Sequence, residues 1–130
     1  MEASSLSTMG AALIVYAGLA GAAGVALAAA GAHGSDLSAL TPPAYFLIMH
    51  ATASAAIIAV AARASHPGIF LLAAFLLLAG ATLFSGDIAL RTFTGDRLFP
   101  MAAPTGGTTM IVGWLVVALG GAWELFSGRG

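Results

Sequence analysis

Apolar residues run almost unbroken through four stretches of the chain, and the polar residues gather between them. The first stretch extends from Thr8 to Ala32 without a charged side chain. The second follows Thr41-Pro42-Pro43, where threonine suits a cap and proline a first turn, and ends at Ala62. The third opens at Pro67, stays apolar to Leu83 and continues through Ser85, Gly86 and Asp87 to Leu90. The fourth runs from Pro104 to Phe126. A membrane-crossing helix needs about 20 such residues to span a hydrocarbon core of roughly 30 Å, and each stretch is long enough. Every connection is short except Arg91 to Ala103, so consecutive helices should be antiparallel neighbours. The pattern predicts one all-α membrane domain over residues 1–130, an up-down antiparallel four-transmembrane-helix bundle with helices at 8–32, 42–62, 67–90 and 104–126.

Composition explains why the solvent must be hydrocarbon. Of 130 residues, 60% are hydrophobic and 7% charged, where a soluble domain carries about 25% charged residues. A small domain in water could not hide that much apolar surface. Four Lys and Arg residues and a net charge of −1 exclude a nucleic-acid footprint. With no cysteine, disulfides, thiolate metal sites and thiol catalysis are excluded as well. The segment before the first span holds Glu2 and no basic residue, and the apolar run exceeds the roughly 7–15 residues of a signal-peptide core. The first span is therefore expected to be retained. Arg63 and Arg129 fall on the side of the termini, Arg91 and Arg97 on the other. That is a tie under the positive-inside rule, and Asp87 one turn before Arg91 tips it towards cytoplasmic termini.

Without a hydrophobic drive between helices in lipid, association depends on close packing of small residues. The first span offers Ala17, Gly21, Gly24, Ala28 and Gly31 at alternating spacings of four and three, and the fourth offers Gly106, Met110, Gly113, Val117, Gly120 and Glu124. Glycine costs a helix about 1 kcal/mol relative to alanine, so repeated glycine on one stripe points to a neighbouring backbone. Gly21, Gly24, Gly31, Gly106, Gly113 and Gly120 are the expected packing residues.

Up-down topology gathers the hydrophilic residues at one end. His33 closes the first span, His50 lies about 10 Å into the second, Ser54 sits one turn deeper, and Ser85, Asp87 and Arg91 end the third. These six form the candidate polar cluster. Burial disfavours a charged imidazole, so His50 should be neutral, with Ser54 on the same face to satisfy it. The bland role is a hydrogen-bonded tie between helices; the sharp one is a proton relay or ligand contact. Asp87 and Arg91 are spaced to pair, either as an interfacial salt bridge ending the helix or as an acid facing a cavity. Glu124, Trp123 and Phe126 suit the opposite interface, whereas Trp114, about 15 Å into its helix, should pack inside the bundle or against a partner.

Catalytic constellations are missing from the sequence. His33 and His50 differ too much in depth for a bis-histidine haem, and with His66 they form no zinc spacing. There is no nucleophile elbow, phosphate loop or dinucleotide fingerprint. No catalytic residue, metal or cofactor is expected, and an enzyme is the weaker reading.

Several short motifs resemble a known family. They are Gly31-Ala32-His33-Gly34 ending the first span, His50 early in the second, Leu83-Phe84-Ser85-Gly86 ending the third, and Pro104, Gly106-Gly107 and Gly113-Trp114 in the fourth. Their order resembles the small membrane proteins grouped as domain of unknown function 423, which include the YgdD-like proteins of bacteria and to which transmembrane protein 256 of animals is related. The resemblance implies an integral, inner-membrane protein without an established activity. The chain departs from the family pattern in the short His33–His50 interval, in Phe46 beside Tyr45 where a tyrosine is usual, in Asp87 for a serine, and in Ala103 before Pro104.

Three functions follow as expectations. One is a structural or accessory protein acting through packing with itself or a larger membrane complex. Another is conduction of a proton or small solute through His50, Asp87 and Arg91. The third is binding of a lipid or quinone between helices. The expected partners are the bilayer, further copies of the chain or a membrane complex, and no nucleic acid.

Overall fold

The computed structural model describes residues 5–128. Ser7 opens the first helix, α1 (Thr8–His33), by accepting the Gly10 N–H on its Oγ at 3.0 Å, which satisfies one of the donors a helix start leaves orphaned. Gly34 interrupts the helix with one extended residue, and a 3-10 segment, Ser35–Leu40, leads directly into α2 (Thr41–Ala61). Thr41 is accordingly a helical residue and not a cap, because the 3-10 turn already supplies Ser38 O to its N–H. A turn carries the chain to Pro67, the first residue of α3 (Pro67–Thr94). That helix passes the expected end at Leu90 and stops at Gly95, whose φ of 80° is the left-handed C-terminal geometry that glycine adopts without a Cβ penalty. The fourth helix, α4 (Ala102–Ser127), follows a seven-residue connection closed by Met101 at φ 68°.

These are four helices long and apolar enough to cross a membrane, and no strand occurs among the described residues. Their registers are antiparallel throughout. Gly10 lies beside Ile58 and Gly24 beside Ala44 and Ile48, so α1 runs down α2. Ser54 meets Ala74, and Ser85 meets Pro43, which orients α3 against α2. Gly120 lies on Phe70, Gly113 on Leu77, and Gly106 on Gly80 and Phe84, which orients α4 against α3.

The bundle is not a closed square. Helix α3 is the axis, with Ala73, Ala74, Leu77, Leu78 and Ala81 completely buried, while α1 lies over α2 and α3, and α4 packs almost entirely on α3. Both outer helices turn most of their surface outward, including Leu19 and Val25 on α1 and Ile111, Leu115 and Leu119 on α4. Helices that are hydrophobic all round are stable in this arrangement only with hydrocarbon as solvent.

The glycine seams are unequal. A Cβ at Gly106 would lie 2.5 Å from Phe84 N and 2.7 Å from Gly80 O, one at Gly113 would lie 2.8 Å from Leu77 Cδ2, and one at Gly120 would lie 3.0 Å from Ile69 Cγ2. Gly80 on α3, outside the expected set, is the matching half of the tightest crossing, with Gly106 O 2.8 Å from its would-be Cβ. On α1, Gly24 is equally tight against Ile48, whereas Gly21 has ordinary space at 3.8 Å from Ala51 Cβ. Gly31 faces Thr41 and the 3-10 segment rather than the body of α2.

Candidate functional site

Antiparallel packing puts the end of α1, the start of α2, the end of α3 and the start of α4 at one end of the bundle, and most buried polar side chains lie in that half. His50, 6% exposed, projects from α2 towards α4. Its Nδ1 is 2.7 Å from Phe46 O, one turn earlier, and its Nε2 is 3.2 Å from Trp114 Nε1. An indole nitrogen only donates, so Nε2 accepts and the proton sits on Nδ1, donating to the carbonyl. Both ring nitrogens of this neutral imidazole are thereby engaged. Phe46 stacks on it at a centroid distance of 5.8 Å and touches Phe84 of α3 at 5.1 Å.

Ser54 does not serve His50. Its Oγ donates instead to Ala74 O of α3 at 3.3 Å, because its side of α2 faces α3 rather than the α4 side. Ser85 donates from α3 to Pro43 O at 2.7 Å, a second bolt between the same two helices. Both serines are fully buried. A further tie, unforeseen from the sequence, joins α1 to α3: Tyr16 Oη lies 2.6 Å from Thr82 Oγ1, which itself donates to Leu78 O at 2.7 Å. The only signal for it was a lone tyrosine in a run, Met9 to Ala32, whose other side chains are all apolar.

Asp87 is 2% exposed. Its Oδ1 accepts the Leu98 N–H at 2.9 Å, so the carboxylate clamps the α3–α4 connection onto the helix. Arg91 Nε stands 3.4 Å from Oδ2, an ion pair by distance without the alignment of a hydrogen bond. The pair does not end α3, which continues to Thr94. His33 is exposed at the tip of α1 with Nδ1 2.7 Å from Ala29 O, and no hydrogen bond joins it to the other five. The structure thus brings Asp87 and Arg91 together and leaves His33, His50, Ser54 and Ser85 in separate local bonds.

Trp114 lies on the outer surface, 47% exposed, and reaches back to His50 across a cleft between α2 and α4. The cleft holds about 420 Å³ and is walled by Phe46, His50, Phe84, Met110, Ile111 and Trp114. At the opposite end, Glu124 does more than sit at an interface. Its two oxygens accept the N–H groups of Ser65 and His66 at 3.1 and 2.8 Å, tying α4 to the turn before α3. No group of three or more metal-ligating side chains occurs among the described residues.

Four apolar spans, bolted together by buried hydroxyl, imidazole and carboxylate groups, define a small polytopic membrane protein. Within that class the chain belongs to the family DUF423, described as a protein of unknown function, whose model matches residues 27–107. The match covers His33, His50, Ser54, Ser85, Asp87 and Arg91 and stops at Gly107, before Trp114 and Glu124. No solved structure matches the chain.

Proposed function

We propose that this protein is a structural or accessory membrane module that acts by packing with further copies of itself or within a larger membrane complex. One observation carries the reading: the buried polar side chains His50, Ser54, Ser85 and Asp87 are each engaged within the chain, by bonds to Phe46 O and Trp114, Ala74 O, Pro43 O and Leu98 N. A relay needs such groups to bond one another, and here none of the four bonds another: each is paired with a backbone group, and His50 also with an indole. What remains for interaction is the outward apolar surface of α1 and α4. Purification in mild detergent, followed by native mass measurement, should give a defined oligomer or a co-purifying membrane partner; an inert monomer counts against the reading. Conduction is tested separately in liposomes, where wild type, His50→Ala and Asp87→Asn are all expected to match empty vesicles.

A second reading is favoured by the lateral openings. Besides the α2–α4 cleft, a groove of about 500 Å³ lies along α1 over Tyr16, Leu19, Ala20, Leu47 and Thr82. Both are apolar and lateral, which suits a lipid acyl chain or the isoprenoid tail of a quinone. Mass spectrometry of protein extracted with its lipids tests this, with a retained lipid of fixed stoichiometry as the positive result. The family resemblance supports a bacterial inner membrane, and pairing of Arg91 with Asp87 supports cytoplasmic termini. An enzyme reporter active only outside the cytoplasm, fused to the C-terminus, should remain inactive; activity reverses the orientation.

A further inference from the structure

At the end of the bundle away from His50, a second histidine–indole pair is built differently. His66, in the turn before α3, has Nε2 3.2 Å from Trp123 Nε1 and Nδ1 3.4 Å from Glu124 Oε1. The rings meet edge-on at a centroid distance of 5.5 Å. Since the indole can only donate, Nε2 is the acceptor and the imidazole proton sits on Nδ1, facing the carboxylate. Glu124 is fixed there by the Ser65 and His66 backbone N–H groups. A second proton on the ring must go to Nε2, the atom the indole N–H occupies. Donor would then face donor, so the imidazolium and the Trp123 bond exclude each other, while Glu124 attracts the imidazolium.

We infer that His66, Trp123 and Glu124 form a proton-operated latch: proton uptake by His66 releases the Trp123 indole, while Glu124 keeps α4 tied to the α2–α3 turn through the Ser65 and His66 N–H groups. His50 lacks both requirements, being buried and facing a backbone carbonyl instead of an acid. His66 has a side chain 43% exposed, so protons reach it. Around it, Glu124 is the charged group on α4 and Arg63 the one on its own turn, and residues 5–12 of α1 and 67–75 of α3 carry none. Glu2 and Arg129 lie outside the described residues. Release would reshape the outward surface formed by Leu119, Trp123 and Phe126.

The protein has two tryptophans, so Trp114→Phe leaves Trp123 as the sole indole. Its emission, followed in detergent from neutral pH down to about pH 5, the range in which imidazoles change charge, should show a reversible one-proton transition. The transition should vanish when His66→Gln is added, because the carboxamide oxygen accepts the indole N–H without titrating. Flat emission with His66 intact, or an equal transition in the His66→Gln protein, overturns the latch. If Trp114→Phe impairs folding, imidazole and indole ¹⁵N shifts of wild type decide instead: His66 titrating while the Trp123 N–H resonance stays put is the contrary result.

Discussion

Gly106 and Gly107 are adjacent on α4, yet a methyl group added at each should act in opposite directions. Replacing glycine by alanine favours the helix by up to about 1 kcal/mol at either position. At Gly107 the new Cβ meets nothing within 4 Å, because it projects into the open α2–α4 cleft, so the gain is kept. At Gly106 it would sit 2.5 Å from Phe84 N, 2.7 Å from Gly80 O and 3.0 Å from Phe84 Cα. Those contacts are about 1 Å inside the separation at which dispersion is optimal. All three atoms belong to backbone, so no side chain can rotate away and α4 must lift off α3. Overpacking of this kind costs about 1–3 kcal/mol, and dispersion is forfeited along the rest of the seam through Gly113 and Gly120. Gly107→Ala should therefore be neutral or stabilising by up to about 1 kcal/mol, and Gly106→Ala destabilising by about 1–3 kcal/mol. Reversible unfolding in mixed micelles, titrated with a denaturing detergent and followed by circular dichroism, measures the difference. Equal responses from the two variants would refute backbone-to-backbone contact between α3 and α4.

Three other outcomes follow from the same packing. Asp87→Ala leaves the Leu98 N–H without its acceptor, a loss of about 1–2 kcal/mol confined to the α3–α4 connection. Trypsin should then cut after Arg97 roughly tenfold faster, with Asp87→Asn closer to wild type because its amide oxygen still accepts. Ser85→Ala removes the bond to Pro43 O and should cost about 0.6 kcal/mol, the average for interhelical hydrogen bonds in membranes, in the same micelle titration. Tyr16→Phe should cost a similar amount by freeing α1 from Thr82, without altering oligomer size if α4 supplies the interaction face.

The spans and their antiparallel order were legible because length, apolar continuity and short connections suffice to set them. The end of α3 was not: Arg91 looked like an interfacial stop, but Thr92-Phe93-Thr94 continue the helix to the glycine that terminates it. The partners of the polar groups were less legible still. Helix α2 is apolar around most of its circumference, so no apolar stripe fixes its rotation, and nothing local says that Ser54 turns to Ala74 or that His50 meets a tryptophan 64 residues away. The α4 glycine stripe was readable because its spacing repeats; its counterpart Gly80 is one glycine among leucines and alanines, with no periodicity to announce it. Asp87 and Arg91 were readable as a pair from their spacing, but the Leu98 N–H held by Asp87 comes from a connection without a sequence signature.

The structural role proposed for this protein requires His50 to be a dry tie and not a station for protons. Solid-state NMR of the ¹⁵N-labelled protein in bilayers reads this directly. It should find Nδ1 protonated, Nε2 bare and correlated with the Trp114 indole proton, and no exchange of the ring proton with water. An imidazolium at His50, or a ring proton that exchanges with water, would contradict it.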